Sequence, residues 1–508
     1  MRIGFVVLTY NRSDALQAVL RALAPQCEAS DALVVADDGS RPEQVQALRE
    51  AGLRCAAPMR HVWHPDVGFT AARARNLGIR AARDLGVDYI VFLDGDCVPG
   101  PGFVKAHRAL AEPGCFVNGS RVLLSPALTE RVLRGELERT PQAELRSEWR
   151  FTALHQEAGG VSATFVTPNG QRTLRSRWLV GADGTRSPVR AAAGIELDDL
   201  QFDEPWLVID TIVHDFDRLP PVNLQICDPA RPTTCVLMGE GRHRWEFMML
   251  PGETAEQIMD DAFVAALLKP WNVDGAVSLE RKAVYRFNAR VAKDWRKGQV
   301  LLAGDAAHQT PPFAGQGMCA GIRDAANLGW KLGMIAQGAA DDALLDSYQV
   351  EREPHVRATI ALAVMMGQTV CITDPVAAEA RNQQMLAARA AGQSPDGAVE
   401  FPPLATGCML GGTAGAGSYF PQFMAAEGER IDDALGEQAW LIGTITPGIA
   451  APAGVSLVSL DAAPLAPWRK AAAQWLTERG AEAVLVRPDR YVFGTGDAAS
   501  LLSAWTQR

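Results

Sequence analysis

The amino-terminal part of the chain alternates short apolar runs with stretches of helical periodicity. Residues 3–8 and 32–36 are apolar, β-branched runs, and residues 15–23 between them carry apolar positions at helical spacing. The same order returns with a helical pattern at 71–85 and an apolar run at 89–93. Strands that alternate with helices in this way predict βαβ units. We therefore expect an α/β fold that begins with a parallel sheet.

Beyond residue 138 the pattern becomes that of an α+β fold. Residues 148–155 and 161–167 alternate as antiparallel strands, and residues 175–180 predict a further strand. The apolar run 299–303 leads, after a loop, into a helical pattern at 320–332. More strands are predicted at 206–210, 224–232 and 244–253, and a long helix is predicted to begin at Glu353.

The carboxyl-terminal part predicts a small α/β domain. Residues 388–403 are rich in Ala, Gly and Pro, which is typical of a linker or surface loop. Strands are predicted at 439–442, 455–460 and 483–487, with a helix at 468–479. The glycine cluster 411–417 follows no strand and predicts a loop.

Composition narrows the classes of function. The chain has 508 residues, 48% of them hydrophobic, with a net charge of −10, and a pI near 5.4. An acidic chain is a poor match for nucleic acid or an anionic membrane, since both need a basic surface. Nine scattered cysteines without a Cys-x-x-Cys pair favour reduced thiols. No apolar run reaches the roughly 18 residues that span a bilayer, and the first residues predict a strand rather than a signal peptide. We expect a cytoplasmic protein.

The most informative segment is 301–317, which reads Leu-Leu-Ala-Gly-Asp-Ala-Ala-His-Gln-Thr-Pro-Pro-Phe-Ala-Gly-Gln-Gly. A strand that ends in Gly304-Asp305 delivers a carboxylate to a ligand, and small residues let backbone approach it. The glycines around Gln316 leave amides free at the start of a helix, where the helix dipole favours negative charge. The plainer alternative is a strand-to-helix turn of an ordinary α/β domain.

This segment, together with Gly-Ala-Asp-Gly-Thr-Arg-Ser at 181–187, resembles the motifs of FAD-dependent aromatic-ring hydroxylases of the 3-(3-hydroxyphenyl)propionate hydroxylase type. The resemblance implies that Asp305 holds the ribityl chain, that the following loop lies along the isoalloxazine, and that Asp183 supports the diphosphate and the path of NAD(P)H. It assigns no catalytic residue. The cofactor-binding residues that it implies are Asp183, Gly184, Gly304, Asp305, Ala306, Ala307, His308, Pro312, Gly315, Gln316 and Gly317.

Three large apolar residues near the predicted strand 244–253 have two interpretations. The resemblance extends to this strand and suggests that it covers the substrate. Large apolar residues are mostly buried for packing, so we expect Trp245, Phe247 and Met248 to lie in the core.

A second resemblance involves the amino-terminal carboxylates. Asp37-Asp38 follows the second strand, and Asp94-Gly95-Asp96 follows the strand at 89–93, where parallel sheets place ligands. Alone, Asp-Gly-Asp is a common turn. The segments 6–12, 37–40, 74–79 and 92–97 together resemble family 2 glycosyltransferases over residues 1–133. The residues implied are Thr9, Asp37, Asp38 and Asp94 for a nucleotide sugar, and Asp94 and Asp96 for Mn²⁺ or Mg²⁺.

Both resemblances are incomplete. The transferase-like part has no acceptor half, and the hydroxylase-like part lacks the Gly-x-Gly-x-x-Gly segment that receives the FAD diphosphate. We predict an α/β fold in three parts. Residues 1–138 form a nucleotide-diphospho-sugar-transferase-like half-domain, 139–400 an incomplete FAD-hydroxylase α+β domain, and 401–508 a thioredoxin-like domain without a redox motif.

Three hypotheses of function follow. The first is an FAD- and NAD(P)H-dependent monooxygenase that hydroxylates a phenolic compound, with a small aromatic substrate as partner and a homodimer as the expected assembly. The second is a metal-dependent glycosyltransferase that uses a nucleotide sugar. The third is a fusion product with two partial ligand sites and no turnover.

Overall fold

The computed structural model describes residues 2–10, 13–41, 55–64, 71–94, 99, 103–110, 134–135, 137–220, 223–238, 241–391, 403–423, 429–446 and 448–507. By its internal contacts the chain divides into two compact units. The first unit contains residues Met1–Leu123, Phe420–Ile449 and Val455–Val484, and the second contains Leu124–Tyr419, Ala450–Gly454 and Leu485–Arg508. The three-part division expected from the sequence stays a prediction.

The amino-terminal sheet of the first unit is parallel, as predicted. Its strands are in the order β3-β2-β1-β4, and every pair is parallel. Apolar side chains cover both faces, with Phe5 and Val7 in one core cluster and Val6 in another. Such burial on both faces explains the continuous apolar strands. The elements are β1 Ile3–Thr9, α1 Ser13–Leu23, β2 Ala32–Asp37, β3 Met59–Trp63, α2 Ala71–Asp84, β4 Tyr89–Asp94 and α3 Phe103–Leu110.

The second unit is built on a long, mostly antiparallel sheet. Its strand order is β10-β11-β12-β9-β13-β16, and β9 and β13 are its longest strands. Trp245 and Phe247 lie on one face of it in a core cluster with Ile258 and Val264. The strands are β9 Leu197–Val213, β10 Leu224–Ile226, β11 Thr233–Met238, β12 Arg242–Met248, β13 Val277–Ala292 and β16 His308–Gln309.

Two smaller sheets complete the strands of this unit. β5 Arg150–Glu157, β6 Gly160–Thr167 and β7 Gly170–Ser176 form an antiparallel sheet, as expected for the first two. The other joins β8 Leu179–Gly181, β14 Arg296–Lys297 and β15 Val300–Leu302. The prediction of one strand over residues 175–180 was therefore wrong, because β7 ends at Ser176 and β8 begins at Leu179. The Ser176 hydroxyl donates to the Trp178 carbonyl at 2.7 Å, a local bond that competes with a continuous ladder.

The helices of this unit flank the sheets. They are α4 Pro188–Ala192, α5 Ala255–Ile258, α6 Asp261–Leu268, α7 Gly317–Ala336, α8 Asp346–Val370 and α9 Pro375–Ala390. The long helix α8 begins at Asp346, not at Glu353, and so contains Pro354. Proline leaves the carbonyl of Val350 without its helical donor, and the Thr406 hydroxyl lies 3.5 Å from that carbonyl. The predicted linker 388–403 overlaps α9, and residues 392–402 lie outside the described part.

The carboxyl-terminal elements follow the predicted order. In the first unit β17 Ala439–Gly443 pairs in parallel with β18 Val455–Ser459, beside α10 Ile431–Leu435 and α11 Arg469–Thr477. The boundary between the units lies inside β19 Ala483–Val486, and β20 Val492–Gly496 and α12 Ala498–Thr506 belong to the second unit.

Within the described ranges no single helix is long and apolar enough to cross a membrane. One bent pair, Asp342–Val370 with Pro375–Ala388, passes that test by length and composition only.

Candidate functional site

The two predicted FAD motifs start from the same edge of one sheet. β8 and β15 pair in parallel, with Gly181 opposite Leu302, and the amide of Ala303 donates to the Gly181 carbonyl at 3.0 Å. Because parallel strands end at the same edge, the loops that carry Asp183 and Asp305 leave the sheet side by side. The structure therefore brings together two segments more than a hundred residues apart in sequence.

Arg190 ties these two loops to each other. Its Nη1 donates to the Ala306 carbonyl at 2.8 Å, and its Nη2 donates to the Thr185 carbonyl at 2.9 Å. Gln309 Nε2 donates to the same Thr185 carbonyl at 3.0 Å. Burial lowers the pKa of Arg190, and the charge of Asp183 partly offsets this. Sequence reasoning missed Arg190, whose only signal was a position just after the Asp-Gly turn, in the short helix α4.

Asp183 is partly committed to its own loop. Its Oδ2 accepts the amide of Val189 at 3.0 Å, and the Ser187 hydroxyl caps α4 by accepting the amide of Arg190 at 2.9 Å. Gly184 has a φ of 81°, which glycine adopts at no steric cost. The turn is well defined, and the exposed carboxylate of Asp183 retains further acceptor capacity.

The carboxylate of Asp305, unlike that of Asp183, makes no hydrogen bond within its own loop. It belongs to the single 3₁₀ turn Gly304–Ala306, where it is exposed, and the described residues provide no hydrogen-bond donor to its carboxylate. Neighbouring atoms partly desolvate it and raise its pKa, while His308 opposes the shift. Asp305 does not cap the turn, so the plain structural interpretation of this residue has no support in its contacts.

Asp324, a buried aspartate, binds the backbone of the loop that carries Asp305. Asp324 Oδ2 accepts the amide of Gly304 at 3.0 Å and lies 2.6 Å from His308 Nε2, and its Oδ1 accepts Arg352 Nε at 2.9 Å. The side chains of Asp324, His308 and Arg352 are fully buried. Burial alone would raise the pKa of Asp324, but His308 and Arg352 lower it. Asp324 and Arg352 were not predicted from the sequence.

The cofactor-binding residues that the resemblance implies differ in their exposure. Ala306, Ala307 and His308 are buried, so their side chains support the loop rather than face a ligand. Asp305, Pro312 and Gly315 are exposed, and Gly304, Gln316 and Gly317 are partly buried.

The loop after Asp305 ends at the start of α7. Gly315 has a φ of 61° and is followed by Gln316, whose side chain makes no cap bond. The first amides of a helix have no acceptor within the helix, and α7 is 20 residues long, so its amino end favours negative charge. A Cβ at Gly315 or Gly317 would meet no described atom within 4 Å. The site thus offers a carboxylate that has no donor among the described residues, for hydroxyl groups, and the uncapped amino end of a long helix, for an electron-rich edge, which fits FAD.

Comparison with known proteins agrees with this geometry. The family model described as an FAD binding domain matches residues 64–363, more than half of the chain. A probable NADH-specific resorcinol 4-hydroxylase of Rhodococcus jostii (strain RHA1) is 36% identical over 396 residues, which cover 73% of this chain and 73% of the relative. The chain belongs to the FAD-dependent aromatic hydroxylase family.

Other relatives and solved structures extend the comparison. A 3-(3-hydroxy-phenyl)propionate/3-hydroxycinnamic acid hydroxylase of Burkholderia cenocepacia (strain HI2424) is 32% identical over 447 residues, covering 80% of this chain and 81% of the relative. The flavin-dependent monooxygenase PieE, solved with FAD and substrate, has a TM-score of 0.62 at 20% identity, over 100% of this chain and 99% of that one. OxyS anhydrotetracycline hydroxylase from Streptomyces rimosus has a TM-score of 0.57 at 22% identity, over 100% of both chains. These structures are similar in fold to this hydroxylase family member.

The amino-terminal carboxylates have partners within the chain. Asp37 Oδ1 accepts the Ser40 amide at 2.8 Å, and its Oδ2 lies 3.0 Å from His61 Nε2. Asp38 Oδ1 lies 3.1 Å from His64 Nε2. Burial alone would raise the pKa of Asp37, and His61 and Ser40 lower it. Thr9 is buried, and its carbonyl accepts the amide of Asp38 at 2.9 Å.

Of the predicted metal ligands, Asp96 and the side chain of Asp94 lie outside the described residues. Elsewhere in the described part of the chain, no three His, Cys, Asp or Glu side chains are placed to hold a metal ion. The seven described cysteines are free thiols. None of the relatives reported above is a glycosyltransferase, and that resemblance stays a prediction.

Four aromatic rings gather beside the loop that follows Asp305. Phe313 packs edge-on against Phe202, Trp206 and Phe287 at centroid distances of 6.0, 5.8 and 5.9 Å. Trp206 stacks on Phe287 at 5.8 Å, and Met248 packs against this group. We call Phe202, Trp206, Phe287 and Phe313 the aromatic cluster. All three residues with two interpretations are buried, as expected for core residues: Trp245 and Phe247 in one core cluster, and Met248 in a second with Trp206.

Proposed function

We propose that this chain is an FAD- and NAD(P)H-dependent monooxygenase that hydroxylates a small phenolic compound. The observation that carries the proposal is Asp305, an exposed carboxylate without a protein partner among the described residues, beside the amino end of α7. Two relatives are named as hydroxylases of resorcinol and of 3-(3-hydroxy-phenyl)propionate, which supports a phenolic substrate. The first of them is also named as NADH-specific.

The residues have separable tasks in this proposal. Asp305 accepts hydrogen bonds from the ribityl hydroxyls of FAD, and Gln316 and Gly317 present backbone amides to the isoalloxazine edge. The amide of Gly315 already donates to the Pro312 carbonyl at 2.9 Å, so Gly315 contributes the turn that precedes these amides. Asp183 and Gly184 support the diphosphate side. Bound FAD, once reduced by NAD(P)H, supplies the oxygen activation that the protein's own side chains cannot perform.

The remaining residues of the site act through the loops. Arg190 keeps the Asp183 and Asp305 loops at a fixed separation, since it donates to a carbonyl in each. Asp324 fixes the Gly304 amide and thereby the direction in which Asp305 leaves the sheet. The aromatic cluster offers apolar walls for a substrate ring beside the same loop.

The finer predictions for the two ends of the chain remain part of this proposal. Residues 1–138 are expected to be glycosyltransferase-like and residues 401–508 thioredoxin-like, with a homodimer as the assembly. The histidine partners of Asp37 and Asp38 give no support to a nucleotide-sugar site, so we make no second proposal of function.

The test is turnover by the purified full chain supplied with FAD. We expect resorcinol to stimulate NADH oxidation and to yield a product that carries one more oxygen atom by mass spectrometry. Arg172→Ala, on the exposed strand β7 and outside both motifs, serves as a matched surface control for variants at the site. A chain that retains FAD but oxidises NADH at the same rate with and without any phenol, and forms no hydroxylated product, contradicts the proposal and favours a fusion product without turnover.

A further inference from the structure

Glu204 differs from the other carboxylates of β9. Asp198, Asp199, Asp203 and Asp210 each have an arginine partner, whereas Glu204 has no ion pair or hydrogen bond with any residue in the described ranges. The pairs are Asp198 with Arg357 (2.9 Å), Asp199 with Arg290 (3.0 Å), Asp203 with Arg286 (2.5 Å) and Asp210 with Arg244 (2.6 Å). A half-buried carboxylate loses part of its hydration, and at Glu204 no protein donor among the described residues offsets that loss.

The strand geometry directs Glu204 toward the aromatic cluster. Successive side chains of a strand alternate between faces, so Glu204 shares its face with Phe202 and Trp206, two residues to either side. On β13 its direct cross-strand neighbour is Phe287, which stacks on Trp206. Phe313 packs against all three of these rings. Glu204 therefore lies on the face of the sheet that carries Phe202, Trp206 and Phe287.

The pKa shifts of Glu204 and of the neighbouring Cys371 thiol agree with this position of the carboxylate. Burial raises the pKa of Glu204, and the neighbouring charge of Asp203 adds to the shift. At the end of α8, burial raises the pKa of the Cys371 thiol to about 12, and the charge of Glu204 contributes to that shift. Cys371 and Trp206 both belong to the apolar group around Met248 and Val370. Glu204 is thus partly desolvated.

Phe313 connects this carboxylate to the proposed flavin site. It lies in the 3₁₀ turn Pro312–Ala314, immediately before Gly315 and the start of α7. A ring that packs on the partly exposed Phe287 and Phe313 would therefore lie beside the loop assigned to the isoalloxazine.

We propose that Glu204 binds the phenolic hydroxyl of the aromatic substrate, with the aromatic cluster as the surrounding wall; this inference rests on the proposed function. The hydroxyl donates its hydrogen bond to the carboxylate, which satisfies an acceptor that otherwise lacks a partner. The same bond draws the proton from the phenolic oxygen and raises the electron density of the ring, which favours attack on an electrophilic oxygen. A ring without a hydroxyl leaves the carboxylate unpaired and is rejected.

The test measures equilibrium binding without turnover. The FAD-saturated full chain, without NAD(P)H, is titrated calorimetrically with resorcinol, with 3-(3-hydroxyphenyl)propionate and with 1,3-dimethoxybenzene, which cannot donate a hydrogen bond. Flavin content is read separately from the visible absorbance. The variants are Glu204→Leu, which removes the acceptor, Glu204→Gln, which keeps a neutral one, and Asp203→Asn, which changes the adjacent carboxylate on the other face.

We expect Glu204→Leu to bind resorcinol about ten to a hundred times more weakly than the wild type, the range for a hydrogen bond to a charged group. Glu204→Gln should fall between the two, and Asp203→Asn should match the wild type. The affinity for 1,3-dimethoxybenzene should not fall in any variant. Both Glu204 variants should fold stably, since they remove a partly desolvated charge that has no partner.

Three results overturn the inference. These are equal resorcinol affinity in wild type and Glu204→Leu, equal losses for resorcinol and 1,3-dimethoxybenzene, and a wild type that binds neither resorcinol nor 3-(3-hydroxyphenyl)propionate. Failure of the proposed function is distinguishable from these, because it appears as absent flavin or absent hydroxylated product while resorcinol binding still depends on Glu204.

Discussion

Replacing Asp324 with alanine should loosen the loop that presents Asp305. The carboxylate makes three contacts inside the protein, with the Gly304 amide, His308 Nε2 and Arg352 Nε, at 3.0, 2.6 and 2.9 Å. The variant leaves the charge of Arg352 buried without its partner. Breaking a buried ion pair from one side costs about 3–5 kcal/mol, which corresponds to roughly two to four powers of ten in a local opening equilibrium.

Hydrogen exchange measured by mass spectrometry tests this locally. The Gly304 amide donates to Asp324, so a peptide that covers residues 300–310 should exchange faster in Asp324→Ala by an amount in that range. The matched control is Asp305→Ala, which changes an exposed aspartate of the same loop and should alter exchange by less than about 0.5 kcal/mol. If both variants exchange like the wild type, Asp324 does not hold the loop and our account of its support is wrong.

Three further variants test other contacts. Arg190→Ala removes the donor to two loop carbonyls and should weaken FAD binding about tenfold, whereas Arg172→Ala, on the exposed strand β7, should not; equal affinities of Arg190→Ala and the wild type in a flavin titration would contradict this role of Arg190. Burial alone would raise the pKa of Glu351, but Arg487 and Lys331 lower it from 4.5 to about 2. The contribution of Glu351 to the free energy of unfolding should therefore be complete above pH 4.5 and be lost as the pH falls toward 2. Circular dichroism should show a smaller acid-induced loss in Glu351→Gln, and an identical loss would refute the assignment. A Cβ at Gly367 would lie 2.7–2.8 Å from two aromatic rings, so Gly367→Ala should destabilise by about 1–3 kcal/mol in urea, while Gly329→Ala, in open space, should not destabilise.

The family resemblance assigned Asp183 and Asp305 to one cofactor, and the structure brings their loops together. The parallel pairing of β8 with β15, which puts both loops at one edge, could not be predicted, because short apolar runs do not specify their partners. The alternation of apolar runs and helical periodicity predicted the amino-terminal sheet and its helices, because both faces of that sheet are buried.

The supporting residues could not be predicted, since their roles depend on partners that are distant in sequence. Arg190 bonds a carbonyl 116 residues away, and Arg352 bonds a carboxylate 28 residues away on another helix. Nothing local to Glu204 shows that its neighbours have arginine partners and that it has none. The two misplaced element boundaries have similar causes: a Ser176 side-chain bond ends β7, and the Thr406 hydroxyl contacts the carbonyl that Pro354 leaves without a helical donor.

The central claim is that the chain binds FAD through Asp305. The most direct measurement is the dissociation constant for FAD of the purified full chain and of Asp305→Ala, with urea midpoints of both proteins measured without flavin. We predict flavin absorbance in the wild type, about ten- to a hundredfold weaker binding in the variant, and unchanged stability without flavin, because the described residues make no hydrogen bond to this carboxylate. A wild type that takes up no FAD, or a variant that binds FAD as tightly as the wild type, would contradict the claim.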